Sequence, residues 1–305
     1  MAFEPPQLLV QALGESPDGG STEHERGGDT AEWLAKLPQA AEEAVARRGL
    51  TVERVHSPGG RSSLVVLVRQ PDGTPAVLKL APPAARPALE AAALAHWDGW
   101  GACQLLEHGD DALLLERLHA DVSLRSLAEA KALLEAAGTV RRLWVAPPAA
   151  HAFETVDVRT SRLAAAMGSV ADDAVRPLVD AALSARSALV ADSAEAFLLH
   201  GDFRQGKVLS GDRTPWLAVG PDPVVGERAY DLARLVLDRL DDLVAASSGA
   251  ATARRRVGKL ADSLEVDRER LRGWTLFRAT EAATRALRAG RTRQAEPLLE
   301  LASWL

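Results

Sequence analysis

The chain has 305 residues, of which 47% are hydrophobic and 26% charged, a composition typical of a globular protein large enough for two lobes. Its net charge of −6 argues against a nucleic-acid partner and suits a cationic small-molecule ligand. Cys103 is the only cysteine, which excludes a disulfide framework and a cysteine-based zinc site. No apolar run approaches the roughly 20 residues of a membrane span, and no signal-peptide pattern is present. We therefore expect a cytoplasmic protein without a membrane partner, whose oligomeric state the sequence does not specify.

The N-terminal region contains few residues that a core would bury. Residues 11–30 are rich in glycine and charged side chains, and we expect a flexible tail over residues 1–30. Thr30 then has the side chain of a helix cap, and the apolar spacing that follows predicts a helix ending at Arg48.

From Thr51 the hydrophobic period becomes that of strands separated by turns. The predicted strands cover residues 51–56, 63–68, 75–80, 103–107 and 112–116, with a helix over 87–97 and a turn over 109–111. This order predicts a small lobe over residues 31–118, built from a five-stranded antiparallel sheet and one helix inserted after the third strand.

The rest of the chain, residues 119–305, predicts a larger and mainly helical lobe. The pattern is helical from Ser123 to Val190, with breaks at Pro147-Pro148 and near residues 169–173. Further helices are predicted over residues 227–247, 251–264, 267–289 and 295–305. The expected fold class is therefore α+β.

Two apolar runs flank a polar loop within the helical region. The first run leads into His200-Gly201-Asp202, and the second begins at Val208. Rigid flanks of this kind hold the polar groups of a loop towards a cleft. A short strand over 216–219 follows and leads into Gly220-Pro221-Asp222-Pro223.

His200-Gly201-Asp202, together with Gly226 and Tyr230-Asp231 further along the chain, resembles the aminoglycoside phosphotransferases, especially their streptomycin and hydroxyurea kinase branch. The resemblance extends over roughly residues 50–290. It implies a two-lobed protein-kinase-like fold and an ATP-dependent transfer of phosphate to a hydroxyl of an antibiotic or similar small molecule.

The resemblance also assigns roles to single residues. Asp202 would accept the proton of the substrate hydroxyl, with His200 as a buried structural hydrogen-bonding group. Lys79 would contact the nucleotide phosphates, with Glu90 on the next helix as its ion-pair partner. The alternatives are that Asp202 only caps a turn and that Lys79 faces solvent on an edge strand.

Further nucleotide contacts are expected around the small lobe. Glu116 is expected near the nucleotide and Leu118 at the hinge between the lobes. Ser62 and Ser63 lie in the loop that would cover the phosphates, where their hydroxyls and the backbone N–H groups suit an anion. An ordinary hairpin turn explains this loop equally well.

Two departures from the family pattern concern magnesium. The family has Asn where this chain has Lys207 and a strand-end Asp where it has Gly220, and these are the positions that hold the metal. Magnesium binding is therefore doubtful, although Asp222 is a candidate substitute ligand. Lys207 has two interpretations: its ammonium contacts phosphate directly, or it points to solvent.

Three hypotheses about function follow. The first is a family member with impaired or lost activity that still binds ATP, another nucleotide or a small ligand. The second is an active phosphotransferase with an unusual metal site that uses Asp222 or Asp212. The third is an interaction protein that binds no nucleotide.

Overall fold

The computed structural model describes residues 3–14, 23–109, 112–170, 172–193 and 195–305. The chain forms two compact units. The first comprises Met1–His119 and Gly211–Pro215, and the second comprises Ala120–Ser210 and Trp216–Leu305.

The described part of the first unit combines helices with a five-stranded sheet. Its helices are α1 (Gln7–Gly14), α2 (Glu23–Arg47) and α3 (Pro87–Trp97), and its strands are β1 (Thr51–Val55), β2 (Leu64–Arg69), β3 (Pro75–Leu80), β4 (Leu105–Gly109) and β5 (Ala112–Glu116). All neighbouring strands are antiparallel, in the order β1-β2-β3-β5-β4. The predicted sheet, with a helix after its third strand, is confirmed. Asp110 and Asp111 of the predicted turn lie outside the described residues.

One face of this sheet forms a core with the N-terminal helices. The side chains of Leu64, Val66 and Val68 alternate along β2 and therefore share this face. Leu9 of α1 and Leu37 of α2 belong to the same core and are completely buried.

This packing corrects the expectation for residues 1–30. Residues 7–14 form α1, whose Leu9 is buried, so a flexible tail is wrong for this stretch. α2 begins at Glu23, so Thr30 lies inside the helix instead of capping it. Residues 15–22 of the predicted tail lie outside the described residues.

The second unit consists mainly of helices around two small sheets. Its strands are β6 (His119–Ser123), β7 (Phe197–Leu199), β8 (Val208–Ser210), β9 (Leu217–Ala218) and β10 (Val224–Gly226). Its helices are α4 (Glu129–Leu143), α5 (Val156–Gly168), α6 (Arg176–Ala191), α7 (Arg228–Val236), α8 (Leu240–Ala245), α9 (Gly249–Leu264), α10 (Arg268–Arg288) and α11 (Thr292–Ser303). β7 pairs with β10, and the other sheet has the order β6-β8-β9.

The predicted breaks between α4, α5 and α6 are confirmed, but the helix predicted over residues 227–247 is divided. Arg239 has a left-handed backbone (φ 52°) and separates α7 from α8. α10 lies in the core of this unit, where Trp274 and Phe277 are fully buried and Tyr230 contacts the edge of Trp274. None of the helices described here has the length and apolar content that crossing a bilayer requires.

Candidate active site

Lys79 and Glu90 form a buried ion pair in the first unit. Lys79 lies on β3, and Glu90 lies in the first turn of α3. The Nζ atom of Lys79 is 2.6 Å from Oε1 and 2.5 Å from Oε2 of Glu90, and the side chains are 13% and 5% exposed. Because losing either partner would leave the other charge buried and unpaired, the pair ties α3 to the sheet. The predicted approach of these two side chains is confirmed.

The other residues assigned to the nucleotide in this unit differ in what they contact. The carboxylate of Glu116 accepts hydrogen bonds from the backbone N–H of Gln104 and from Nη2 of Arg213, each at 2.9 Å. It therefore has a structural role at the end of β5. Leu118 and Ser63 are buried, whereas Ser62 is exposed.

In the second unit, Asp231 fixes the backbone of the polar loop that follows β7. Its carboxylate accepts hydrogen bonds from the backbone N–H groups of His200, at 2.9 Å, and Gly201, at 2.7 Å. Burial raises the pKa of Asp231, and the two N–H groups oppose that shift because they stabilise the charged form. The beginning of the loop is therefore held by a completely buried side chain.

Gly201 allows the two segments of this site to approach closely. Its backbone is left-handed (φ 79°), and a Cβ atom there would lie 1.8 Å from the carbonyl oxygen of Asp222. The backbone N–H of Asp222 donates to the carbonyl of His200 at 2.9 Å. Arg278 adds a further link, because its Nη2 atom donates to the carbonyl of Gly201 at 2.9 Å. Only glycine fits at this crossing.

His200 is a structural residue, as predicted. Its ring is completely buried, Nε2 lies 3.2 Å from the carbonyl of Val219, and Nδ1 accepts the backbone N–H of Asp202 at 3.3 Å. With Nδ1 as an acceptor, the neutral tautomer carries its proton on Nε2 and donates to Val219. Burial, together with the nearby Lys207, lowers the pKa of His200 to about 3. The imidazole therefore stays neutral at physiological pH.

Asp202 is surrounded by cations. Its Oδ2 atom lies 2.6 Å from Nζ of Lys207 and 3.6 Å from Nε of Arg204, and its Oδ1 atom accepts a hydrogen bond from Nε of Arg234 at 2.9 Å. Burial raises the pKa of Asp202, but the three cations outweigh that effect and hold it well below its ordinary value. Asp202 is therefore a carboxylate whose oxygens both bind cationic side chains of the protein.

Lys207 and Gly220 do not fit a magnesium ion. The ammonium of Lys207 donates to the carbonyl oxygen of Gly220 at 2.7 Å as well as to Asp202. It thus places a positive charge between the carboxylate and the end of β9, where a divalent cation would be repelled. Within the described residues, no group of three or more His, Cys, Asp or Glu side chains is arranged to hold a metal.

The two carboxylates considered as substitute ligands are both engaged in ion pairs. Asp222 receives Nη1 and Nη2 of Arg159, each at 3.1 Å, in a bidentate arrangement. In the first unit, Asp212 lies 2.8 Å from Nε2 of His119. A metal would have to displace Arg159 from Asp222, which leaves that buried guanidinium without this carboxylate.

Arg204 and Arg234 belong to the site but were not predicted from the sequence. Arg204 is two positions after Asp202, and Arg234 is one turn after Asp231 on α7. The helical spacing gives one indication of Arg234. Residues three positions apart lie on the same side of a helix, so Arg234 faces the loop that Asp231 binds.

The chain is similar in sequence to several known proteins. A family model described as aminoglycoside/hydroxyurea antibiotic resistance kinase matches residues 48–290. The chain is 35% identical over 258 residues to streptomycin 6-kinase of Streptomyces glaucescens, covering 82% of this chain and 83% of that protein. It is 34% identical over 260 residues to hydroxyurea phosphotransferase of Kitasatospora aureofaciens, covering 82% of this chain and 73% of that protein.

Solved structures show the same fold. The aminoglycoside phosphotransferase APH(4)-Ia superposes with a TM-score of 0.62 at 17% identity, covering 87% of this chain and 97% of that one. Choline kinase LicA from Streptococcus pneumoniae gives a TM-score of 0.62 at 9% identity, covering 88% and 99%. The protein-kinase-like α+β fold expected from the sequence is therefore confirmed.

Proposed function

Because this chain belongs to the aminoglycoside/hydroxyurea antibiotic resistance kinase family, we propose that it is a small-molecule kinase homologue whose magnesium-dependent phosphoryl transfer is lost or strongly reduced. The observation that carries the proposal is the position of Lys207, whose Nζ atom lies 2.6 Å from Asp202 and 2.7 Å from the carbonyl of Gly220. The resemblance to the family implies metal ligands at these two positions, and the ammonium of Lys207 supports their replacement.

The environment of Asp202 supports reduced catalysis. In the family mechanism this aspartate accepts a hydrogen bond from the acceptor hydroxyl. Here Lys207 and Arg234 already bind its two oxygens, and a hydroxyl has to compete with both charge-assisted hydrogen bonds. The lowered pKa of Asp202 makes the carboxylate a weaker base as well.

The first unit supports retained nucleotide binding. The Lys79–Glu90 ion pair is intact, and the resemblance to the family implies that the ammonium of Lys79 contacts the phosphates. We assign ATP or another nucleotide to this pair. Cationic side chains of the protein would balance the negative charge of the nucleotide phosphates, since the residues present do not fit magnesium.

The curated relatives favour a second candidate function, an active small-molecule phosphotransferase. They are named streptomycin 6-kinase and hydroxyurea phosphotransferase, and they match more than four-fifths of this chain. This candidate requires magnesium to enter through Asp222, which has to exchange Arg159 for the metal.

A transfer assay separates the two candidates. The purified protein is incubated with ATP and magnesium, using streptomycin and hydroxyurea as acceptors, and phosphorylated acceptor is measured by mass spectrometry. We expect no more product than the Asp202→Ala variant gives. Acceptor-dependent product that Asp202→Ala abolishes would overturn the proposal and establish an active kinase.

A thermal-shift measurement tests the third hypothesis, that the chain is an interaction protein that binds no nucleotide. We expect ATP to raise the melting temperature equally in magnesium and in EDTA. Stabilisation only with magnesium would favour the active kinase. No stabilisation in either buffer would favour a protein that binds no nucleotide.

A further inference from the structure

Three cationic side chains surround Asp202 on the accessible side of the polar loop. We name Arg204, Lys207 and Arg234 the loop cation cluster. Their side chains are 37%, 22% and 28% exposed, and that of Asp202 is 27% exposed. All four groups are therefore within reach of a ligand from solvent, and the positive charges outnumber the single carboxylate that they share.

The cluster has hydrogen-bond donors that the protein does not use. Among the described residues, Arg234 donates only from Nε, to Asp202. Arg204 lies 3.6 Å from Asp202, beyond hydrogen-bond distance, and its buried Nε atom has no hydrogen-bond partner. Neither arginine uses its Nη groups for a hydrogen bond within the part of the chain described here. Planar guanidinium groups with unused N–H donors match the oxygens of a phosphate.

Like charges crowd this site. Burial lowers the pKa of Arg234, and the nearby Arg278 and Arg204 lower it further, against the raising effect of Asp202. The repulsion between Arg234 and these neighbouring cations is relieved when an anion binds beside them.

Buried acidic residues near the loop offset only part of the charge of the cluster. Asp231 and Asp238 are both buried, and their carboxylates accept backbone N–H groups: Asp231 from His200 and Gly201, and Asp238 from Gln205 at 2.5 Å. The charge of Asp238 also interacts with Arg234 and Arg204. The partly exposed groups around Asp202 are nevertheless three cations and one carboxylate.

We propose that the loop cation cluster binds a phosphate group of the ligand without a metal ion. This deepens the proposed function, on which it rests for the place of the ligand beside Asp202. Lys207 would act as a point charge, and the free Nη groups of Arg204 and Arg234 would donate to the phosphate oxygens.

The proposal reverses the expectation drawn from the net charge of the whole chain. The overall charge of −6 suggested a cationic ligand, but the local charge beside Asp202 has the opposite sign. A cationic group placed here would be repelled by the cluster, whereas a phosphate would be attracted. The phosphate belongs either to a nucleotide, as its terminal group, or to a phosphorylated small molecule.

Calorimetric titrations of the full chain in EDTA test the proposal. The ligands are inorganic phosphate, glycerol phosphate, ADP and ATP, and the variants are Arg204→Gln and Arg234→Gln. Arg268→Gln on the same unit is the matched control, because Arg268 is exposed and pairs with Asp262 outside the cluster. We expect each cluster variant to bind phosphate about tenfold more weakly, the control to match the unmodified protein, and added KCl to weaken binding.

The ligands also identify the source of the phosphate. If the cluster binds the terminal phosphate of a nucleotide, ATP affinity falls in both variants while ADP affinity does not. If it binds a phosphorylated small molecule, the affinity for glycerol phosphate falls and that for ATP is unchanged. Both results support the proposal.

Two results would overturn it: no binding of any phosphate ligand that depends on the cluster, or binding that requires magnesium. Arg204→Gln keeps the test decisive if Arg234→Gln misfolds, because the guanidinium of Arg204 donates no hydrogen bond among the described residues. ATP binding in EDTA, with the affinities for inorganic phosphate, glycerol phosphate and ATP all unchanged in both variants, would retain the proposed function and refute the cluster. Cluster-dependent phosphate binding in a protein that phosphorylates streptomycin would support the cluster and refute the proposed function.

Discussion

Lys207 donates to Asp202 across 2.6 Å, and the same ammonium reaches the carbonyl oxygen of Gly220 at 2.7 Å. In the proposed function this contact takes the place of a metal ion, with one positive charge instead of two and with donors instead of coordination sites. The ammonium occupies one oxygen of Asp202, the carboxylate that the proposed function makes the acceptor of the substrate hydroxyl.

Replacing Lys79 with Met is expected to lower the free energy of unfolding by about 1–3 kcal/mol, because Glu90 is then buried without its partner. ATP affinity should fall about tenfold with the loss of the phosphate contact. Urea unfolding and calorimetry measure the two effects. Lys36→Met removes a lysine from an exposed pair with Glu32 and should leave stability nearly unchanged, because exposed ion pairs contribute little. Equal behaviour of the two variants would contradict the role of Lys79.

Replacing Gly201 with Ala is expected to lower the free energy of unfolding by about 3 kcal/mol or more, because the new Cβ atom would collide with the carbonyl oxygen of Asp222. Gly138→Ala is the matched control. Gly138 lies in α4 with no atom within 4 Å of its added Cβ, so alanine should stabilise the helix by about 0.5–1 kcal/mol. Urea unfolding compares the two. A mild effect at Gly201 would show that the crossing is looser than described.

His200 predicts a specific loss of stability in acid. Its pKa is about 3 in the folded protein and about 6.5 in the unfolded chain, so between these values protons bind the unfolded chain preferentially. The stability that a neutral His200 contributes is therefore complete above about pH 6.5 and is lost as the pH falls towards 3. The His200→Gln variant lacks this titrating imidazole. Between pH 7 and pH 5 the variant should therefore lose about 2 kcal/mol less stability than the unmodified protein.

Urea unfolding at the two pH values measures this difference. The matched control is His108→Gln, in which an exposed histidine of β4 is replaced. The control should show the same acid sensitivity as the unmodified protein. If His200→Gln and His108→Gln respond identically to pH, the buried neutral imidazole is not the source of the effect.

Restoring both family residues with Lys207→Asn and Gly220→Asp is expected to make ATP stabilisation depend on magnesium. Gly220 has a left-handed backbone (φ 62°), which aspartate tolerates better than most residues, and the nearest atoms to its added Cβ belong to Lys207, at 3.8 Å. Thermal shifts with ATP in magnesium and in EDTA test this. The single variant Lys207→Met, which removes the ammonium and adds no ligand, is the control and should gain no magnesium dependence.

Much of the fold follows from local patterns in the sequence. The strands β1 to β5 are short segments rich in apolar residues, and turn residues such as glycine and proline separate most of them, so their number and order were predictable. α1 and β6 were not, because each depends on distant partners. Leu9 is buried in the core that the N-terminal helices form with the sheet of the first unit, and β6 forms its sheet with β8, far along the chain. Tertiary contacts decided the structure of these segments.

The site divides in the same way. Lys79, Glu90 and His200 lie in motifs with defined spacing, so their contacts could be predicted. The contacts of Lys207 could not be predicted, since the sequence is equally consistent with an ammonium in solvent and with one bound to Asp202. Arg234 joins the site because α7 packs beneath the loop, and that packing brings two segments about 30 residues apart into contact.

If side chains replace the metal in this protein, magnesium should not change its affinity for ATP, and calorimetric titration of ATP into the unmodified chain, once with magnesium and once with EDTA, measures this. We expect the same dissociation constant in both buffers within about threefold, because cationic side chains such as Lys207 supply the positive charge in either case. An affinity at least about tenfold higher with magnesium would contradict it, since a metal would then enter the site despite Lys207.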